Sequence, residues 1–267
     1  MIEEAYQIIS TGGIRLHSNS WVPQKETKAV VCLVHGLGYH MDAYQNLTGL
    51  FEESGIAYFS FDLRGHGLSE GKKGHGTVVQ FLDDIQELVI SARKEFTELP
   101  IFLMGIGMGG TLVINYLLKL ISSEIKGVII HDPWLEIPKE SLELSDNAAS
   151  ILHKLIPTLS VSHKLLRTSA VENDKLTHNK VSLQLFYDLK NAGFFALQNA
   201  GLIEIPMLVS TTESNICSSD ICQELAIHAG ENADYKLWHN IENSMLKEDM
   251  VRFFNQWING HSQEALK

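Results

Sequence analysis

The stretch from Gly105 to Gly110 reads Gly-Ile-Gly-Met-Gly-Gly. Its spacing matches the pattern Gly-x-Ser-x-Gly, in which a strand ends, a sharp turn presents the central residue, and a helix begins. A serine at the centre of such a turn can attack a carbonyl carbon and form a covalent intermediate. The central residue here is Gly107, which has no side chain. The sequence therefore predicts the turn without its nucleophile.

The glycines of this turn have separate physical explanations. The tip of such a turn takes a positive φ angle, and holding a residue with a Cβ atom there costs on the order of 1–3 kcal/mol. Glycine takes the same angle without this cost, so Gly107 keeps the turn and relieves its strain. Gly105 and Gly109 are expected to let the helix approach the strand closely, whatever residue occupies the tip.

Apolar runs alternate with segments of helical periodicity along most of the chain. The run that begins at Ala29 is rich in Val, which is typical of a strand buried on both faces of a parallel sheet. Similar runs begin at Ile56, Ile101, Lys126 and Ile205. Strands that alternate with helices predict an α/β fold with a parallel sheet covered on both sides. The tight turn at 11–13 predicts an antiparallel hairpin at the sheet edge.

The segment 133–204 interrupts this alternation, because it is far too long for a loop between neighbouring strands. Two stretches within it have apolar residues at helical spacing, from 147 to 160 and from 182 to 200. They form either a helical cap over a pocket or a layer that thickens the core. We favour the cap, since ligands of parallel sheets bind at the carboxyl ends of strands. The predicted units are a core of 1–132 and 205–267 and a cap of 133–204.

Composition excludes several classes of protein. Of the 267 residues, 45% are hydrophobic. The chain has 21 Lys and Arg and 32 Asp and Glu, which gives a net charge of -11. A charge of this sign argues against nucleic acid or an anionic membrane surface as a main partner. No apolar run approaches the roughly 20 residues of a membrane span, and the acidic first residues lack the pattern of a secretion signal. We expect a cytoplasmic protein without integral membrane association.

Cysteines and histidines do not predict a metal site. Three cysteines, Cys32, Cys217 and Cys222, lack metal-ligand spacing, and Cys32 lies in an apolar run as a small core residue. Four histidines lie in or near the glycine-rich loops: His35, His40, His66 and His75. They share no helical or strand spacing that would bring them to one ion. We expect no disulfide, no metal and no cofactor.

Three motifs, in order and spacing, resemble one family over nearly the whole chain. They are Leu-Val-His-Gly-Leu-Gly-Tyr-His at 33–40, Asp-Leu-Arg-Gly-His-Gly-Leu-Ser at 62–69, and the turn at 105–110. They resemble the monoacylglycerol lipases and lysophospholipases, serine aminopeptidase-like hydrolases of the α/β-hydrolase fold. The resemblance implies a mostly parallel central sheet of about eight strands flanked by helices, with a helical cap insertion. Arg64 and Ser69 are expected to anchor their loop by hydrogen bonds.

The resemblance also locates the catalytic triad. In these hydrolases a serine attacks the ester, a histidine takes its proton and a carboxylate orients the histidine. Aligning the motifs puts Gly107 at the nucleophile, Ser214 at the acid and Asn243 at the base, with Glu248 opening the last helix. All three functions are therefore expected to be missing. The backbone N–H groups of Leu37 and Met108 are implied to form the oxyanion hole, where a carbonyl, carboxylate or phosphate oxygen could dock.

Four residues near these positions could carry displaced acid or base chemistry. His239 precedes Asn243 by four residues, and Glu213 precedes Ser214. His131 and Asp132 end the strand before the insertion, where a triad acid can lie in this fold. The simpler interpretation is preferred: hydrogen-bonded pocket residues for His131 and Asp132, the end of a strand for His239, and a solvated loop charge for Glu213. A base without a nucleophile could still activate water.

These observations lead to three hypotheses. The first is a pseudo-hydrolase that binds a small acyl or lipid ligand without cleaving it. The second is a carboxylic ester hydrolase or lyase that uses His239, Asp132 or Glu213. The third is a protein-interaction scaffold with a closed pocket. A homo-oligomer is compatible with each of them.

Overall fold

The computed structural model describes residues 1–119, 124–136, 159–160, 174–213, 218–239 and 246–265. The strands are β1 (Ile2–Ile9), β2 (Arg15–Val22), β3 (Ala29–Val34), β4 (Ile56–Phe61), β5 (Ile101–Ile106), β6 (Ile125–His131), β7 (Leu159–Ser160), β8 (Lys180–Val181), β9 (Met207–Thr212) and β10 (Ala233–Trp238). The helices are α1 (Thr48–Ser54), α2 (Val78–Glu95), α3 (Met108–Lys119), α4 (Leu183–Asn199), α5 (Ser219–Ala229) and α6 (Glu248–Ala265).

A sheet of eight strands forms the centre of the fold, in the spatial order β1-β2-β4-β3-β5-β6-β9-β10. The pairs β1–β2 and β2–β4 are antiparallel, and the remaining neighbours are parallel. The predicted α/β-hydrolase fold is therefore confirmed, with the antiparallel hairpin at one sheet edge. The carboxyl ends of β3, β5, β6 and β9 meet at one edge, which is where the candidate site lies.

Strand β3 shows why the parallel strands are apolar throughout. All six of its residues are buried. Val30, Cys32 and Val34 pack with α2, α3, α4 and α5, whereas Val31 and Leu33 pack on the other face with α1 and α6. Alternate residues of a strand point to opposite faces, so a strand covered on both sides needs apolar residues at every position. Cys32 and Cys222 are buried and form no disulfide with each other, and Cys217 lies outside the described residues.

Helix α4 belongs to the layer formed by α2, α3 and α5. Its buried residues Leu185, Phe186 and Leu189 lie in the same core cluster as the apolar faces of α2 and α3. The first predicted cap helix, at 147–160, falls almost wholly outside the described residues. Within the described part of the insertion, α4 thus thickens the core, and the boundaries 133–204 remain a prediction.

Candidate functional site

The turn between β5 and α3 has the geometry that the glycine spacing predicts. Gly107 has a φ angle of +57°. Its N–H donates to the carbonyl oxygen of His131 at 2.9 Å, and its own carbonyl oxygen accepts from the N–H of Gly110 at 3.0 Å. A Cβ atom at Gly107 would have Gly36 Cα, at 3.7 Å, as its nearest non-neighbouring atom. Among the described residues, the turn therefore leaves room for a Cβ atom at its tip.

The two flanking glycines are required by close backbone packing. A Cβ atom at Gly109 would lie 2.1 Å from the carbonyl oxygen of Val34. A Cβ atom at Gly105 would lie 2.6 Å from the carbonyl oxygen of Gly109. Neither distance is tolerable for nonbonded atoms, so both positions require glycine. The predicted close approach of helix and strand is confirmed.

The loop after β3 lies beside this turn. Tyr39 N–H donates to the carbonyl oxygen of Gly36 at 3.2 Å, and Gly38 has a φ angle of +79°. The side chains of Leu37 and Met108 are buried. Within the described residues, no hydrogen bond joins the N–H of Leu37 or of Met108 to another group. Met108 opens α3, where the helix dipole favours a negative charge. Among the parts of the chain that the structure describes, both backbone donors are therefore left for a ligand oxygen.

The neutral side chain of His35 holds this loop in place through two hydrogen bonds. Leu63 N–H donates to His35 Nε2 at 2.9 Å, so the other nitrogen, Nδ1, carries the proton that is donated to Gly36 O at 2.8 Å. Complete burial lowers the pKa of His35 to about 3, because desolvation disfavours the charged ring. His35 thus positions the loop and stays uncharged at neutral pH.

The Asp-Leu-Arg-Gly-His-Gly motif forms a second anchored loop. The Asp62 carboxylate accepts from Met41 N–H at 2.8 Å and from Leu68 N–H at 2.7 Å. Burial raises its pKa. The Ser69 hydroxyl donates to the carbonyl oxygen of Asp62, and Arg64 forms a two-pronged pair with Asp84. Arg64 and Ser69 therefore anchor the loop, as predicted.

Asp132 and His131 are held inside the protein at the end of β6. Asp132 accepts from Thr211 Oγ1 at 2.8 Å and from Thr212 N–H and Oγ1 at 2.8 and 2.7 Å. His131 Nδ1 lies 3.1 Å from Ser210 Oγ. Asp132 also has a φ angle of +45°, the single positive φ among the described residues other than glycine. These bonds tie β6 to β9, which fits the hydrogen-bonded interpretation of both residues.

Glu213 and His239 lie together at the carboxyl ends of β9 and β10. His239 Nδ1 is 2.8 Å from Glu213 Oε1, and the two side chains are 64% and 54% exposed, respectively. His239 directly follows the end of β10, and the exposed charge expected at Glu213 contacts it. Ser214 and Asn243, which align with the triad acid and base, lie outside the described residues.

Comparison with known proteins identifies the family. The model of the Hydrolase_4 family, described as serine aminopeptidase, S33, matches residues 25–249. The chain belongs to this family. The predicted resemblance is confirmed at that level, because the match covers all three glycine motifs.

Relatives of this S33 family member include proteins of different length. A Dictyostelium discoideum protein, named as an uncharacterized abhydrolase domain-containing protein, is 28% identical over 99% of the chain, and the chain spans 30% of its length. A monoacylglycerol lipase of Mycolicibacterium smegmatis is 24% identical, with 96% of this chain and 97% of the relative covered. The crystal structure of Paleococcus ferrophilus monoacylglycerol lipase has a TM-score of 0.79 at 26% identity, covering 92% of this chain and 99% of that one.

A segment that sequence reasoning missed packs on the loop beside Gly107. We call residues 174–182 the strap. Its Asp174 pairs with His40 at 2.6 Å, and its His178 donates through N–H to Gly38 O at 3.0 Å and contacts Gly65 O at 3.1 Å through Nε2. Burial lowers the pKa of His178 to about 4. No local pattern marks Asp174, since its partner lies 134 positions away.

The described residues show neither a metal cluster nor a spanning helix. Within them, no group of three or more His, Cys, Asp or Glu side chains could hold a metal ion. In the same part of the chain, no helix is both long and apolar enough to cross a bilayer. The described site therefore consists of backbone donors beside an open turn.

Proposed function

We propose that this S33 family member binds an acyl or lipid ligand above Gly107 without hydrolysing it. The observation that carries the proposal is Gly107 itself: the turn keeps the φ angle of a nucleophile elbow, and the described residues leave room for a Cβ atom at its tip, but the residue has no side chain. The substituted acid and base positions, Ser214 and Asn243, support it from the sequence. Covalent ester hydrolysis needs a nucleophile and a base together.

In this proposal, the ligand is held through its head oxygen. The N–H groups of Leu37 and Met108 donate to a carbonyl or carboxylate oxygen, and the N-terminus of α3 adds a favourable dipole. Hydrogen bonds to a charged oxygen stabilise a complex by about 1.5–3 kcal/mol each, so a carboxylate gains more than a neutral ester. The name of the M. smegmatis relative supports acylglycerols and fatty acids as the first ligands to examine.

The direct test combines turnover with binding. Esterase assays use short and long acyl esters and monoacylglycerol, and thermal shift measures stabilisation by fatty acids and monoacylglycerols. We expect no turnover above the buffer rate and a melting temperature that rises with ligand concentration. Ready turnover would contradict the loss of catalysis, and no stabilisation by any acyl ligand would contradict binding.

Two variants at Gly107 locate the ligand. Gly107→Ala and Gly107→Leu carry the same backbone strain at a φ of +57°, but only leucine fills the space above the turn. We expect Gly107→Ala to keep the ligand-induced stabilisation and Gly107→Leu to lose it. Equal stabilisation of both variants would place the ligand elsewhere.

A second candidate function is favoured by the contact between Glu213 and His239. A carboxylate that orients a histidine leaves the other ring nitrogen as a base able to activate water. This enzyme hypothesis predicts that His239→Gln or Glu213→Gln abolishes a measurable turnover, with Asp132→Asn as the third replacement. Turnover that is indifferent to all three replacements would refute it.

A further inference from the structure

We propose that a cleft in the outer helical layer binds a small organic cation with an apolar body. The cleft lies between the start of α2, the middle of α3 and α4, and its volume is about 320 Å³. This volume falls at the lower end of small-molecule sites, roughly 300–1,000 Å³.

The cleft is separate from the space above Gly107. Its α3 residue, Asn115, follows Met108 by seven residues. At a rise of 1.5 Å per residue, Asn115 lies about 10 Å further along the helix axis. A ligand in the cleft therefore occupies a different site from an oxygen bound at the amide of Met108.

Asn115 offers the cleft a hydrogen-bond acceptor. Its Nδ2 donates to the carbonyl oxygens of Thr111 at 2.8 Å and Ala192 at 3.0 Å, which uses both amide protons and fixes the orientation of the amide. The residue is 8% exposed. The remaining polar atom, Oδ1, can only accept a hydrogen bond. A ligand group that contacts this oxygen is therefore a donor.

Asp188 gives the cleft its charge. Its Oδ1 accepts from Gln184 Nε2 at 2.7 Å, and the side chain is half-buried. Within the described residues, no lysine, arginine or histidine pairs with it. None of the described residues that line the cleft is basic, and the chain has a net charge of -11. The site therefore favours a cation over an anion.

An apolar wall completes the site. Phe195 and Val79 are 49% and 55% exposed. Asp188, Ala192 and Phe195 follow one another at spacings of four and three residues, so they share one face of α4. A carboxylate at one end of this face and an aromatic ring two turns further along suit an ammonium group attached to a short apolar body that covers the exposed carbon.

The experiment titrates the full, isotope-labelled chain with phenethylammonium and, as a neutral control of similar shape, phenylethanol. NMR shifts locate the bound molecule. We expect saturable shifts at 78–79 and 188–195, small shifts at Gly107 and Met108, and at least about tenfold tighter binding of the amine. No saturable shift below about 20 mM, or equal binding of amine and alcohol, would overturn the proposal.

Variants test the charge of the cleft and its aromatic side chain. Asp188→Asn removes the charge at nearly constant volume and is expected to weaken amine binding about tenfold. Phe195→Ala is expected to weaken it several-fold. Glu224→Gln makes the same charge change on α5, at a side chain that is 49% exposed, and should leave binding unchanged. An affinity that Asp188→Asn does not change would contradict the assignment, and circular dichroism checks that each variant is folded.

Discussion

At the scale of single residues, Gly107 separates the geometry of the turn from its chemistry. Positive φ is a property of the backbone, and glycine supplies it without a side chain. A nucleophile is a property of the side chain, and glycine has no side chain. A serine side chain restored at position 107 alone should therefore not restore ester hydrolysis, because the proton transfer needs a histidine and a carboxylate at the other two triad positions.

The need for all three triad members predicts the outcome of rebuilding them. Gly107→Ser alone should hydrolyse esters no faster than the natural chain. The triple variant Gly107→Ser, Ser214→Asp, Asn243→His should exceed it by at least about 100-fold in kcat/KM, since triad members act as a unit. A triple variant with Gly107→Ala in place of serine is the control without a nucleophile. A fully active single variant would show that a base is already present.

Gly109 and Gly49 form a matched pair for stability. Gly109→Ala places a Cβ atom 2.1 Å from Val34 O and should destabilise the fold by about 3 kcal/mol or more, as overpacking of rigid backbone does. Gly49, in α1, has no atom within 4 Å of its Cβ position, so Gly49→Ala should stabilise by about 0.5–1 kcal/mol. Urea unfolding measures both, and a loss of similar size in the two variants would contradict the packing argument.

At the scale of elements, buried histidines connect the strap to the loops beside the site. The ring centres of His66 and His178 are 4.6 Å apart, and those of His35 and His66 are 5.4 Å apart. Burial lowers the pKa of all three rings, to about 3 for His35 and about 4 for His178. These contacts require neutral rings.

The lowered pKa values predict loss of stability in acid. Below pH 6.5, the ordinary value, the unfolded chain binds protons on these rings, whereas folded His178 stays neutral down to about pH 4. Stability is therefore complete above pH 6.5 and falls as the pH falls towards 4, by up to about 1.4 kcal/mol per pH unit for each ring. Urea unfolding between pH 7 and pH 4.5 should show a shallower slope for His178→Gln. Identical slopes would mean that His178 does not contribute.

At the scale of the whole molecule, one buried ion pair joins three separate parts of the chain. Arg64, after β4, donates to Asp84 of α2 at 2.7 and 2.6 Å, and it also donates to Ser10 and Thr11 near the β1–β2 turn. Arg64 and Asp84 are both buried. Breaking such a pair leaves an unpaired charge in the interior.

Asp84→Asn should therefore destabilise the fold by about 3–5 kcal/mol. The surface pair of Arg15 and Glu70 is the control, because both side chains reach solvent and exposed pairs contribute little. Glu70→Gln should have a much smaller effect in thermal or urea unfolding. Similar losses for the two variants would show that burial does not decide the contribution of the pair.

The α/β class, the edge hairpin and the turn at Gly107 were all predictable, because strand alternation, helical period and glycine spacing act between neighbours in the chain. Three-dimensional packing alone decided that α4 joins the core layer, that Asp174 holds His40, and that Glu213 meets His239. These contacts join residues far apart in sequence, where local periodicity carries no information. They form only when the sheet brings its strand ends and loops together.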